Sequence, residues 1–224
     1  MRRELVERRS MIVRAVRRFF DERGFLELHT PRLVGLPGQE PYLDPLWTEI
    51  AVPPNVSNPK LQAALITSPE YAMKKLLGEG MDKIYDLGPC FRDGEPWDET
   101  HDIEFLLLEW YRRNAGIEEL MSDAESMIRF VAGHLPSTVC RLPSFPFRRM
   151  TVAEAMSRYA AVDLEPLLDD GNALANVVRM HGYSATKDDT WDDLFFKIFL
   201  TEVEPHLGWN HRKSEWHPTF LYQY

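Results

Sequence analysis

The chain is poor in cysteine: its 224 residues include two, Cys90 and Cys140. They form no CxxC pair and have no histidine at metal-ligand spacing. That argues against a disulfide framework or a cysteine-based metal site. It predicts buried thiols in a reducing compartment, and so a cytoplasmic protein that holds no metal through its own side chains. Long hydrophobic runs are also missing, and none approaches the ~20 residues that cross a bilayer, so no membrane association is expected. The charged N-terminus lacks an apolar core and a small-residue cleavage site, so no secretory signal is expected. Positive charge is in deficit: 26 Lys and Arg against 35 Asp and Glu give a net charge of −9. This argues against a broad electrostatic footprint for nucleic acid. Neither a GxxxxGK[ST] loop nor a GxGxxG fingerprint occurs, and there is no internal repeat.

What is present is an ordinary globular composition, 44% hydrophobic and 27% charged. Residues 3–22 read as an amphipathic helix, with Leu5, Ile12, Val16, Phe19 and Phe20 on one stripe. Its other faces carry Arg2, Arg3, Arg8, Arg9, Arg14, Arg17 and Arg18 among Glu4, Glu7, Asp21 and Glu22. That pattern reads as a solvated helix face, with a local basic patch as the alternative. Gly24 fits the position after a helix end, and a short strand, Phe25–Leu28, follows. Further strands are predicted at Leu46–Val52 and, buried, at Leu61–Thr67. Ser68 then caps a helix with Pro69 at its first position. Strands 83–92 and 103–112 flank a polar loop as a long hairpin, and a helix covers 117–132. Residues 136–224 read as mostly helical, with a capping box at Thr151 and Glu154 and a cap at Thr190. The final run, Leu221–Tyr224, resembles the start of a strand. Hairpins and runs of helices without βαβ alternation predict an α+β fold with an antiparallel sheet flanked by helices.

The hairpin carries the chemistry. Strand periodicity puts Phe105, Leu107, Glu109 and Tyr111 on one face and the wholly apolar Leu106, Leu108 and Trp110 on the other. The second face belongs on a core, and the first suits the floor of a ligand site. A half-buried Glu109 needs a cation, either a protein Arg or Lys or a ligand ammonium. Arg92 at a strand end can hold a phosphate through two parallel hydrogen bonds. His101 across the loop can reach a terminal phosphate, and Phe105 offers a face for a base. Taken singly these residues have plain alternatives: an Arg92–Glu95 turn pair, a surface histidine, a core phenylalanine. As an ordered set they read as a nucleotide site.

That set resembles the second signature motif of class II aminoacyl-tRNA synthetases: a Phe-Arg strand end at Phe91-Arg92, a loop, and a His-x-x-Glu-Phe return at 101–105. Thr67-Ser68-Pro69-Glu70-Tyr71-Ala72-Met73-Lys74-Lys75-Leu76-Leu77 and Leu108-Glu109-Trp110-Tyr111-Arg112 are similar to the lysyl branch. More narrowly they resemble the elongation factor P lysine aminoacylases, which attach a β-lysine to a lysine side chain. Residues 11–31 resemble the first motif, which builds a dimer interface. The resemblance runs the length of the chain and implies one synthetase-like catalytic domain over 1–224. It implies that Arg92 holds the α-phosphate of ATP and is the catalytic residue. Asp93, Gly94, Glu95, His101 and Asp102 would also contact ATP, and Phe105 would stack on adenine. Ser68, Pro69, Glu70, Glu109 and Tyr111 would receive the amino acid, with Glu70 on an ammonium. The implied chemistry is attack of the substrate carboxylate on the α-phosphate, loss of pyrophosphate, and transfer from the acyl-adenylate to an acceptor amine.

Three departures from the motif stand out. Asp102 replaces the usual asparagine and Ile103 the usual proline. The loop holding Trp97, Asp98 and Glu99 is longer and more acidic. The third motif, Gly-x-Gly-x-x-Arg, is absent together with the acidic residues that bind magnesium, so Mg²⁺ is expected without ligands in this chain. The expectation is therefore a site incomplete at its C-terminal side. The first motif begins almost at Met1, which leaves no room for an anticodon-binding barrel and favours elongation factor P over tRNA as acceptor. A lysyl-tRNA-forming core and a non-catalytic synthetase-like module or fragment are the alternatives.

Overall fold

The computed structural model describes residues 3–51, 60–96, 98, 101–136, 142–143, 146–210 and 215–223. Arg2, Val52, Trp97, Glu99, Cys140 and Tyr224 lie outside the described residues. The chain divides into two compact units, 1–137 and 138–224.

The first unit opens with α1 (Arg3–Asp21), which buries Ala15, Val16, Phe19 and Phe20. Only the C-terminal half of the predicted stripe is covered, since Leu5 is 56% exposed and Ile12 39%. The arginines of α1 mostly find acids: Arg3 pairs with Glu7, Arg8 with Glu4, Arg18 with Glu22 and Arg17 with Glu27. This is the solvated face the sequence predicts. Gly24 takes φ 72° just past the helix, a left-handed turn that favours glycine.

Strand β1 (Leu26–Leu28) pairs with β5 (Lys83–Phe91), and β5 with β6 (Glu104–Arg112). The β5–β6 hairpin is antiparallel, as expected, but β1 lies parallel to β5. The expectation of an antiparallel sheet is corrected on that edge. The 54 residues between the end of β1 at Leu28 and the start of β5 at Lys83 form a connection long enough for a parallel crossover. Within it, β2 (Leu33–Val34), β4 (Lys60–Leu65) and β3 (Trp47–Ala51) form a small antiparallel sheet with β4 in the middle. The predicted burial of this region holds only in part. All of β3 is exposed, and in β4 only Ala63 and Ala64 are buried, with Ile66 and Thr67 just beyond.

The helix after it, α2 (Glu70–Gly78), begins one residue later than predicted. Pro69 is the N-cap, because its carbonyl accepts the first helical bond from Met73 at 3.0 Å. The Ser68 hydroxyl therefore lies outside the cap and only reaches the Glu70 amide, at 3.4 Å. Helix α3 (Ile117–Gly133) starts where Glu119 accepts from the Gly116 amide at 2.8 Å.

One face of the hairpin packs on the helices. Tyr85 joins Val16, Phe19, Phe20 and Phe25 in a core, flanked by Leu87, Leu108 and Trp110 from the sheet and Met127, Phe130 and Val131 from α3. Phe20 stacks on Tyr85 at 4.8 Å between centroids. Leu106 departs from the predicted core face. It is 39% exposed, because it lies opposite Pro89, three positions past the last residue of β5 that β1 reaches.

The second unit has its own core around Met156, Leu174, Val178, Phe195 and Ile198. Strand β7 (Arg148–Thr151) runs into α4 (Val152–Ala155), where Thr151 and Glu154 exchange the expected capping-box bonds at 3.0 and 2.9 Å. Helices α5 (Gly171–Met180) and α6 (Trp191–Ile198) follow, the latter capped by Thr190. The chain then forms the hairpin of β8 (Gly208–Asn210) and β9 (Glu215–His217). Strand β10 (Thr219–Tyr222) is the strand expected near the end, and it pairs parallel to β7.

Candidate functional site

The register of the hairpin builds the site. Ile84 faces Tyr111, Asp86 faces Glu109, Gly88 faces Leu107 and Cys90 faces Phe105. Cross-strand partners share a face, so these four rows form the floor opposite the helix-packed side.

At one end of the floor, Arg92 follows β5 and its amide bonds to the Ile103 carbonyl at 3.1 Å. Its guanidinium lies 5.0 Å from the centre of the Phe105 ring. Arg92 makes no ion pair among the described residues, and its Nε is buried without a hydrogen-bond partner. Glu95 does not take it up, so the turn-pair alternative is not realised. The guanidinium is half-buried, with its Nε unsatisfied, beside an aromatic face, an arrangement able to take an anion next to a stacking surface.

The loop that follows is held from a direction the sequence reading missed. The Asp93 amide donates to the Asp44 carbonyl at 2.7 Å, and Gly94 turns with φ 71°. Glu95, Pro96, Asp98, His101, Asp102 and Ile103 line a cavity of about 350 Å³. His101 does not project freely from this loop. Its Nδ1 lies 2.9 Å from the Asp98 carboxylate, which also accepts from its own amide at 2.8 Å.

At the other end, Tyr111 donates to Glu109 at 2.6 Å. Burial raises the Glu109 pKa, the Tyr111 hydrogen bond opposes the rise, and the neighbouring Glu70 adds to it. Burial, and then Glu109, push the Tyr111 phenol well up, so it stays a donor. Lys74 is paired with Glu70 one helical turn away. Among the described residues Glu109 makes no ion pair, although the charge of Lys74 acts on it and opposes the rise. Ser68 and Pro69 stand at the start of α2 beside Glu70.

Between the two ends lies a feature the sequence reading passed over. Asp86 is fully buried and accepts from the Thr30 amide at 3.0 Å, from the Thr30 hydroxyl at 2.9 Å and from Arg32 Nη2. Arg32 Nη1 also donates to the Thr30 hydroxyl at 3.2 Å. The signal was present: an aspartate at an inward position of an otherwise apolar strand requires a partner.

No group of three or more His, Cys, Asp or Glu among the described residues is arranged to hold a metal ion. No helix among them is long and apolar enough to cross a membrane.

The profile of the tRNA synthetases class II (D, K and N) matches residues 1–224. The chain is 30% identical over 218 residues to an elongation factor P–(R)-β-lysine ligase homolog of Aquifex aeolicus, covering 97% of this chain and 66% of that protein. It is 32% identical over 219 residues to the elongation factor P–(R)-β-lysine ligase of Proteus mirabilis, covering 97% of this chain and 61% of the relative. The chain thus spans about three fifths to two thirds of the relatives it matches. A profile that matches from end to end, on a chain whose hairpin carries the second-motif residues in register, establishes the family: this chain belongs to the class II tRNA synthetases of the D, K and N group.

Proposed function

We propose that the chain forms part of an ATP-dependent aminoacyl ligase that activates lysine or β-lysine as an acyl-adenylate and passes it to a lysine side chain of elongation factor P. The observation that carries this reading is Arg92, whose buried Nε has no partner and whose guanidinium stands beside Phe105. On this reading Arg92 binds the α-phosphate and stabilises the charge that develops there. Phe105 stacks on adenine, and Asp93, Gly94, Glu95, His101 and Asp102 border the phosphates. Ser68, Pro69 and Glu70 receive the amino acid, with Glu70 on an ammonium, and Glu109 and Tyr111 line its pocket. Nothing in the chain has to become a covalent nucleophile, because the work is positioning and charge stabilisation. The names of the relatives support elongation factor P as acceptor. The exposed Leu5, Val6 and Ile12 of α1 support a homodimer through the first motif, which light scattering would detect as twice the chain mass.

The test is amino-acid-dependent ATP–pyrophosphate exchange, followed by transfer of labelled amino acid. Exchange with lysine or β-lysine, and label on elongation factor P in preference to tRNA, are expected. Absence of exchange with either amino acid would refute the enzymatic reading. Label on tRNA alone would refute the protein acceptor.

A further inference from the structure

We propose that Arg32 is a second anion-binding arginine of this site, held by Asp86 and Thr30 on the floor between Glu109 and Arg92, where it takes the carboxylate of the amino-acid substrate. The inference rests on the activation reading above and adds a residue to it.

Three observations place the guanidinium. A Cβ built on Gly88 would lie 2.0 Å from Arg32 Nη2 and 2.7 Å from its Cζ, so the guanidinium occupies the space a side chain would fill there. Gly88 pairs with Leu107, one row from Asp86–Glu109 and one row from Cys90–Phe105. The Cys90 thiol senses both neighbours: burial pushes it up to about 11, against the opposing charges of Arg32 first and Arg92 after it. Arg32 therefore sits on the ligand face, midway along it.

The spacing fits the substrate. Adjacent same-face rows are two residues apart, or roughly 7 Å along a strand. A lysine-type amino acid with its side-chain ammonium on Glu109 extends its carboxylate about one such step, to the Gly88 row. The next row is that of Phe105, with Arg92 beyond it. A carboxylate held at Gly88 thus faces the phosphate it must attack.

The chemistry of Arg32 suits this task. Nη2 is committed to Asp86 and Nη1 donates to Thr30, while a guanidinium carries five N–H donors in a fixed fork. Its side chain is 22% exposed, whereas Asp86 is 0% exposed, so of the two only Arg32 can be approached by a ligand. Thr30 and Asp86 position Arg32, and Gly88 makes room for it. A purely structural clamp between residues 30–32 and β5 would use the same bonds, but it would not distinguish a ligand carboxylate from a ligand amide.

That difference is the test. Dissociation constants of lysine and β-lysine, and of their amides, are measured calorimetrically on the full chain, unaltered and as Arg32→Gln. Because Arg32→Gln strands a buried carboxylate, the double variant Arg32→Gln/Asp86→Asn is measured alongside it, since it removes that charge and keeps a Thr30 acceptor. The expected result is about tenfold weaker binding of the amino acid in both variants, with the amide unchanged. Equal losses for acid and amide, or no loss for either, would overturn the assignment while leaving the activation reading in place. Failure of the unaltered chain to bind either amino acid would overturn both.

Discussion

Gly88→Ala puts the floor of the site under direct test. The new methyl carbon would stand 2.0 Å from Arg32 Nη2 and 2.7 Å from Cζ, so the guanidinium has to lift off the strand. Asp86, fully buried, then loses its charged partner but keeps both bonds from Thr30. Breaking a buried pair outright costs about 3–5 kcal/mol. Here the arginine can turn to solvent and the carboxylate keeps two donors, so the loss is closer to that of one charge-assisted hydrogen bond, about 1.5–3 kcal/mol. For a chain of this size that corresponds to roughly 3–12 °C in Tm. The assay is thermal and urea unfolding by circular dichroism, run as a double-mutant cycle with Arg32→Ala. If the collision with Arg32 is the cause, Gly88→Ala should cost under ~0.5 kcal/mol once the long side chain is gone. An equal cost in both backgrounds would show that the alanine harms the strand for some other reason, and the packing argument would fail.

Other expectations can be measured on the same protein. Arg92→Ala should abolish pyrophosphate exchange and shift the urea midpoint little, because the residue makes no ion pair among those described; normal exchange would remove its assigned role. Glu109 has a folded-state pKa above the ordinary carboxylate value, so the native state binds the extra proton between the two. Stability contributed by that proton is full below the ordinary value and is lost as pH rises through the raised one. Glu109→Gln should flatten this slope in urea midpoints between pH 4 and 7 and weaken lysine binding, and an unchanged slope counts against it. Thr151→Ala should cost about 1 kcal/mol of stability through loss of its cap bond to the Glu154 amide. In a Cys140→Ser background, Cys90 should resist alkylation at pH 8 until the chain unfolds, since burial holds its thiol near 11; labelling of the native chain would contradict its burial.

How much of this could be read from the sequence depends on how local each signal was. The hairpin was legible because an apolar run broken by one carboxylate, Phe105 to Trp110, returns from a polar loop that Arg92 and His101 bracket. The caps at Thr151 and Thr190 were legible because a capping box is a four-residue pattern. What escaped depends on residues far apart in the chain. The parallel pairing of β1 with β5 joins Leu26 to Ile84, and nothing near Leu26 announces it. The exposure of Leu5 and Ile12 is a failure of the opposite kind: the stripe is apolar at helical spacing, but within the first unit only its C-terminal half meets Tyr85 and α3. Arg32 was missed because residue type alone does not show that its partner lies 54 positions later.

The charges along the floor explain why the arrangement has a direction. Glu109 and Glu70 lie at one end, with Lys74 paired to Glu70. Arg92 lies at the other end with its Nε unsatisfied. Arg32 and Asp86 between them form a pair that is neutral as a whole, in which the arginine is partly exposed and the carboxylate is not. A lysine-type molecule carries one ammonium at the end of its side chain and the other close to its carboxylate, so the orientation with the side-chain ammonium at Glu109 is favoured over the reverse, where its carboxylate would meet Glu109. On the proposed reading this polarity does much of the work of orientation before any bond is made. The approach of the carboxylate to the nucleotide is then fixed by the spacing of three rows of one hairpin, a distance the backbone sets and side-chain motion changes little.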